Sequence, residues 1–262
     1  GFCEPRIDNV LICPPTYGMY EVSAGINDVE LIRVPLLPDF SVDLPKVMEV
    51  LQRDRPKLTF ICSPNNPTAN LIDAETIARL AEASSGLVVV DEAYIDFSTH
   101  TGALELLPEF PNLIVMQTFS KAWGMAGIRL GMAFASKEII HLFNKVKPPY
   151  NINQLTQEKA LEALQRPEEK DRMVEILLRE REKLETELGK LPSVHRVYPS
   201  DANFLLVKVT DPHAMYTYLV EQGIIVRNRA NVHLCEGSLR ISIGTPEENT
   251  ALIAALKNYP ND

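Results

Sequence analysis

The stretch "NLIVMQTFSKAWGMAGIRLG", residues 112–131, decides how the rest of the chain is read. It opens with Leu113, Ile114, Val115 and Met116, the pattern of a buried strand, and turns polar at Thr118, Ser120 and Lys121. A loop carrying Gly124 and Gly127 then delivers Arg129 eight residues beyond the lysine. A lysine at the end of an apolar strand is costly unless something uses its amine.

Working outward, similar apolar runs recur at 10–13, 29–34, 58–62, 87–90 and 128–135. Helical patterns lie between several of them. In "DAETIARLAEAS", Ile77, Leu80 and Ala81 share one face and Asp73 is placed to cap, with Thr76 where a Glu is more usual. Near-continuous apolar strands alternating with helices predict an α/β fold with a mostly parallel sheet covered on both faces. Ligands then sit at the carboxyl ends of the strands. From about residue 153 to 191 the chain reads as helix, ending in the charged run "LLREREKLETELGKL", taken as a solvated face supported by i,i+4 pairs. Strand-like runs at 194–198, 204–209, 224–226 and 239–243, with helices at 212–222 and 247–259, make a smaller α+β unit. The expected organisation is a large domain over 1–152, connecting helices over 153–191 and a small C-terminal domain over 192–262.

Of the 262 residues, 45% are apolar and 23% charged, the balance of an ordinary globular protein. The net charge of -9, with no block of Lys or Arg, argues against a nucleic-acid partner. No apolar run approaches the length of a membrane span. Cys3, Cys13, Cys62 and Cys235 form no C-x-x-C pair, which reads as reduced thiols in a cytosolic protein. The five histidines are scattered, so no metal site is expected.

Three strand ends carry the chemistry. "SPNNPTAN" follows residues 58–62 and offers the amide of Asn66. Asp91 and Tyr94 follow 87–90, and Thr118, Ser120, Lys121 and Arg129 follow 113–116. Each alone reads as a turn, a cap or a surface pair. Together, on one edge of one sheet, they supply an amide, an acid with a phenol, and an amine with hydroxyls and a guanidinium. Pyridoxal phosphate chemistry requires such a set.

Here the sequence resembles the fold-type I aminotransferases, with a close match to the histidinol-phosphate branch. The match runs through "CPPTYGMY", "SPNNPT", "VVVDEAYIDF", "TFSKAWGMAGIRLG" and "LRISIGT", five motifs in order. The resemblance implies that Lys121 holds the cofactor as a Schiff base and moves the substrate proton. It implies that Asp91 pairs with the pyridinium nitrogen, which should depress the Asp91 pKa, and that Tyr94 and Asn66 bond the ring oxygen. Ser120, Thr118 and Arg129 would hold the cofactor phosphate, and Tyr17 would stack on the ring. Arg240 would bind the substrate's anionic group, with Arg227 as a second arginine gripping a phosphate; Arg229 matches no motif.

The implied reaction is a ping-pong transamination of L-histidinol phosphate with 2-oxoglutarate, giving imidazole acetol phosphate and glutamate in histidine biosynthesis. The resemblance further implies a cytoplasmic homodimer acting on small molecules. Alternatives from the same motifs are an aminotransferase for aromatic or other amino acids, or a phosphate-recognising decarboxylase. A non-catalytic binding domain is disfavoured by the intact Lys121, Asp91 and Arg129. The family's usual Asn-Pro-Thr-Gly reads Asn66-Pro67-Thr68-Ala69 here, so Ala69 takes a position that favours a permissive backbone. The chain starts abruptly at Gly1 without a Met. It is therefore expected to be a fragment lacking an N-terminal segment that helps hold the cofactor phosphate and sends a tyrosine to the partner's site.

Overall fold

The computed structural model describes residues 1–260; the last two residues of the expected small domain, 261 and 262, lie outside the described residues. Six strands form the first sheet: β1 (Asn9–Ile12), β2 (Glu30–Arg33), β3 (Leu58–Cys62), β4 (Leu87–Asp91), β5 (Leu113–Thr118) and β6 (Gly131–Ala135). Their order is β2-β1-β3-β4-β5-β6. All pairs are parallel except β5–β6, which is antiparallel because the Gly-containing loop after Lys121 turns the chain straight back. Strand β6 begins at Gly131, later than the expected 128, because 126–128 close a 3-10 turn that delivers Arg129.

Alternation along the strands sends side chains to both faces. Leu11, Ile61, Val88, Val90, Leu113 and Val115 enter the main core with Val47 and Leu51 of α2 (Leu44–Arg53) and Ile77 and Leu80 of α3 (Ala74–Ala83). Val10 and Ile12 pack oppositely with Tyr20 of α1 (Met19–Ile26). Val89 and Ile114 do so with Ile139 of α4 (Lys137–Val146). Burial on both faces explains why β4 and β5 read as unbroken apolar runs. Asp73 caps α3 by accepting from the Thr76 amide at 2.7 Å, as the sequence predicts.

The predicted helix over 153–191 is two helices, α5 (Gln154–Leu164) and α6 (Pro167–Leu188). Pro167 explains the break: it has no amide to continue α5, but suits the first turn of α6. The charged run on α6 is not uniformly solvated. Glu180 is buried and accepts from Lys183 Nζ at 2.6 Å and Asn249 Nδ2 at 3.1 Å. Arg181 donates to the carbonyls of Phe97 at 3.1 Å and Ala202 at 2.9 Å.

The second sheet is antiparallel, ordered β7-β8-β10-β9, from β7 (Val194–Val197), β8 (Phe204–Val209), β9 (Arg227–Asn228) and β10 (Ser238–Ser242). It is covered by α6, α7 (Pro212–Glu221) and α8 (Pro246–Lys257), through Leu184, Leu188, Leu219, Leu252 and Leu256. The strand expected at 224–226 begins only at Arg227. Gly223, at φ +76°, ends α7, and the Ile224 amide closes the helix on the Leu219 carbonyl at 2.8 Å. That backbone is spent on the helix end.

Between the sheets, Ala69, Tyr94, Phe97 and Ala122 pack with Val174 of α6 and with Ala202 and Phe204. This apolar plug fixes the small sheet against the strand ends of the large one.

Candidate active site

The parallel strands set the site. Because β3, β4 and β5 run the same way, the residues just past their carboxyl ends gather at one edge, and a cavity of about 510 Å³ opens there. Tyr17, Asn66, Asp91, Tyr94, Thr118, Ser120, Lys121 and Arg129 all line it. Asn65, the neighbour of Asn66, turns inward. It donates to the carbonyl of Pro15 at 2.8 Å and to Thr68 Oγ1 at 2.6 Å, which shapes the loop and leaves the Asn66 amide for the cavity.

Asp91 ends β4 half-buried. Its carboxylate accepts from the Tyr20 hydroxyl at 2.7 Å and the Ala93 amide at 3.1 Å. Burial raises its pKa above the ordinary carboxylate range, against those two bonds and the charge of Lys121. Lys121 Nζ lies 5.1 Å from the Tyr94 ring centroid. Burial lowers its pKa, and the positive charges of Arg240 and Arg129 push the same way. Burial also pushes the Tyr94 phenol up to about 12. The site is thus an acid and an amine, each drawn toward its neutral form by desolvation.

The rim is built for an anion. Thr118 Oγ1 bonds the Ser120 hydroxyl at 2.9 Å and accepts from the Ser120 amide at 3.0 Å, holding both hydroxyls together. Arg129 takes a left-handed backbone, φ +54°, and donates only to its own loop, at Ala126 O, 3.1 Å.

A second cavity of about 480 Å³ shares Tyr17, Asn66, Tyr94 and Lys121 with the first. Arg240 and Arg229 reach it from the small sheet. Arg240 donates to Asn66 Oδ1 at 2.7 Å and lies 4.9 Å over the Phe204 ring. Alternation on β10 works as the sequence predicts: Leu239 and Ile241 are buried and Arg240 faces the other way. Arg227 pairs with Arg240 in register but is exposed and lines neither cavity.

Sequence reasoning gave no site role to two lining or supporting groups, Tyr20 and Cys62, and left Arg229, which lines the second cavity, without an assignment. Tyr20 lies in the same "CPPTYGMY" motif as Tyr17, yet its bond to Asp91 spans 71 residues. Ala69 does adopt a left-handed backbone, φ +67°, and is fully buried, so the non-glycine residue is accommodated with its Cβ in the plug. Among the described residues no group of acidic, His or Cys side chains could hold a metal ion, and no helix is long and apolar enough to cross a membrane.

Known proteins resemble this chain in sequence and in fold. The chain is 55% identical over 257 residues to a histidinol-phosphate aminotransferase of Cytophaga hutchinsonii, covering 98% of this chain and 74% of the relative. The crystal structure of the histidinol-phosphate aminotransferase from Clostridium acetobutylicum superposes with a TM-score of 0.89 at 26% identity, over 95% of this chain and 77% of that one. The enzyme of the same name from Sinorhizobium meliloti, solved in complex with pyridoxal-5'-phosphate, shares the fold: TM-score 0.87, 24% identity, 97% of this chain and 71% of that one. Residues 2–256 match the family described as aminotransferase class I and II, and the chain belongs to that family.

Proposed function

We infer that this chain is a pyridoxal-phosphate-dependent aminotransferase. It transfers the amino group of L-histidinol phosphate to 2-oxoglutarate, producing imidazole acetol phosphate and glutamate, a step of histidine biosynthesis. The observation that carries the reading is the 51–55% identity to histidinol-phosphate aminotransferases over 98–99% of this chain and 74–75% of theirs. The residues of the site suit the cofactor. Asp91 is a half-buried carboxylate without an ion-pair partner among the described residues, a fitting counter-charge for a protonated ring nitrogen. The hydroxyls of Thr118 and Ser120 and the free end of Arg129 offer donors for a phosphate.

Bound there, pyridoxal phosphate supplies the carbonyl that takes up the amino group and the ring that accepts the carbanion's electrons. The chain's own groups do the rest. Lys121 Nζ would hold the cofactor and carry the proton that leaves the donor's Cα, and its burial-lowered pKa favours the neutral, basic amine that this needs. Asp91 would keep the ring nitrogen protonated. Tyr94 and Asn66 would bond the ring oxygen, and Tyr17 would cover a ring face. Arg240, with its Asn66 bond already made, orients the anionic end of the donor or of glutamate, and Arg227 stands at the rim as a second cation.

On this reading residues 1–152 are the cofactor domain, 153–191 connecting helices and 192–262 the small domain, supported by the two separate sheets. We also infer a cytoplasmic homodimer. Helix α1 presents Met19, Val22 and Ile26 exposed at i, i+3 and i+7, an apolar stripe suited to a subunit contact. Glutamate formation from a panel of donors (histidinol phosphate, histidinol, phenylalanine, tyrosine) tests the function. Histidinol phosphate is expected to give the highest kcat/KM. A higher value for an unphosphorylated aromatic donor would overturn the reading.

A further inference from the structure

Helix α6 meets the site through one face. Val174, Leu177, Leu178 and Arg181 recur there at helical spacing. Val174 enters the apolar plug with Tyr94 and Ala122, Leu177 and Leu178 pack against it, and Arg181 donates to the Phe97 carbonyl. Lys170 stands one turn before Val174, on the same face. Its side chain is 19% exposed, whereas that of Lys183 on the same helix is 69% exposed, so this lysine is not a solvated surface charge.

Lys170 Nζ donates to Asp96 Oδ1 at 3.0 Å in part-buried surroundings, and pairs with the well-exposed Asp171 at 3.0 Å. The same ammonium lies 5.6 Å from the ring centroid of Trp123, the chain's one tryptophan. Asp96 belongs to the 3-10 turn Ile95–Phe97 that follows Tyr94, and Trp123 is two residues past Lys121. Tyr94 and Lys121 meet directly, with Lys121 Nζ 5.1 Å from the Tyr94 ring centroid. A closed circuit therefore runs from Lys121 through Trp123, Lys170 and Asp96 to Tyr94 and back. Trp123 also packs on the buried Phe119, ring centroids 5.3 Å apart. The turn between them is closed by the Gly124 amide on the Lys121 carbonyl at 2.9 Å and the Met125 amide on the Phe119 carbonyl at 3.0 Å. Burial pulls the Lys170 pKa down, but its bonds to Asp96 and Asp171 outweigh that and hold it above the ordinary lysine value. The indole thus faces a cation at neutral pH.

We propose that Lys170 is a positioning residue for the reaction: by holding Trp123 and Asp96 together, it sets where the Lys121 amine stands relative to Tyr94 and to the donor's Cα. The proposal rests on the reading above, in which Lys121 carries the proton from that carbon. Lys170 touches no reacting atom and acts through Trp123. A long cation suits the position, because one ammonium both satisfies a half-buried carboxylate, costly to leave unpaired, and attracts the face of the indole. The transfer breaks the donor's Cα–H bond and forms an N–H bond on Lys121. It needs the two heavy atoms within hydrogen-bond reach, and a displacement of about 1 Å costs up to about 100-fold in rate. Slack in the loop that carries Lys121 therefore lowers turnover and leaves donor binding in place.

The test compares the pyridoxal-phosphate-loaded parent with Lys170→Met, Lys170→Arg and Asp171→Asn. In Lys170→Met, kcat should fall about 3- to 30-fold, the range spanned by one lost cation–π contact. The KM values for the donor and for 2-oxoglutarate should stay within about twofold, the mark of an effect on the chemical step. With the donor deuterated at Cα, the isotope effect on kcat should grow, because proton transfer becomes the slower step. A variant that had merely lost part of its folded molecules would leave the isotope effect where it was. Trp123 reports the loop directly: acrylamide should quench its fluorescence more readily in Lys170→Met than in the parent. Lys170→Arg keeps the cation over the ring and the pair with Asp96, and should bring kcat to within about threefold of the parent. Asp171→Asn removes only the exposed partner and should leave kcat within about twofold. If Lys170→Met does not fold, Asp96→Asn carries the test by untying the circuit at its other joint, with the same changes in kcat and isotope effect. An unchanged kcat and isotope effect in the folded variants, whatever the quenching, overturns the proposal and leaves the reaction standing. A parent that forms no glutamate from any donor overturns both.

Discussion

Asp91 and Lys121 depart from their ordinary ionisation in opposite directions, for the same first cause, burial. What restrains Asp91 is the Tyr20 hydroxyl, itself buried and stacked on Phe60 with ring centroids 4.7 Å apart. Tyr20→Phe keeps the stack and removes only the bond. Without it the Asp91 pKa rises further, so on acidification the carboxylate is lost at a higher pH. Of the other ionisable groups around it, Tyr94, Glu92 and Lys121 keep their surroundings, while the Cys62 thiol, which the Tyr20 hydroxyl also lowers, moves further up and stays protonated. Pyridoxal phosphate affinity should fall about tenfold, as expected for one bond to a charged group, and its acid limb should move up in pH. Fluorescence titration of the apo-protein across pH measures both. An acid limb that stays in place would leave Tyr20 a packing residue only. Residues at strand ends, such as Asp91, were legible because a parallel sheet fixes where strand ends go. Tyr20 was not, because its bond to Asp91 is made by folding, across 71 residues of sequence.

Elements were legible by periodicity and misjudged where a helix face changes its surroundings. The run on α6 is a case of one composition with two fates. Arg179 pairs with Glu175 at 2.7 Å, both well exposed, as the spacing predicts. Arg181, two residues on, is 14% exposed and clamps the carbonyls of Phe97 and Ala202, one from each side of the junction between the sheets. No charge pattern distinguishes the two; only the approach of the loops around Phe97 and Ala202 does. Arg181→Met should orphan two part-buried carbonyls and cost roughly 2–3 kcal/mol. Arg179→Met should stay within about 0.5 kcal/mol of the parent. Urea midpoints of the two variants decide it, and equal midpoints would mean that α6 is held by its apolar face alone. The shift of β9 has a similar origin: residues 224–226 look like a strand, but the turn after Gly223 claims the Ile224 amide.

At the scale of the whole molecule, the site works against the stability of the empty protein. The sheets deliver an acid into a desolvated cavity, and Asp91 has no cation within ion-pair distance among the described residues to offset its burial. A carboxylate whose folded pKa is raised binds its proton more tightly in the native state than in the unfolded one. The resulting penalty is absent below the unfolded pKa, grows as pH rises toward the folded pKa, and is complete above it. Asp91→Asn removes the charge while keeping the shape; its oxygen can accept from the Ala93 amide while its amide nitrogen donates to the Tyr20 oxygen. The cofactor-free variant should therefore be more stable than the parent at neutral pH, by about 0.5–2 kcal/mol, the usual size of a stabilising substitution. The difference should shrink as pH falls through the raised folded pKa toward the unfolded value of about 3.9, below which the parent's carboxylate is protonated in both states. Saturating pyridoxal phosphate should reverse the order, because a ligand stabilises the folded form by RT ln(1 + [L]/Kd) and the variant's Kd is larger. Urea unfolding of both proteins at pH 7 and pH 4.5, with and without the cofactor, reads all three effects. If the apo-parent were the more stable of the two at pH 7, the buried charge of Asp91 would already be compensated within the fold, and its pairing with the cofactor would not be needed to offset it.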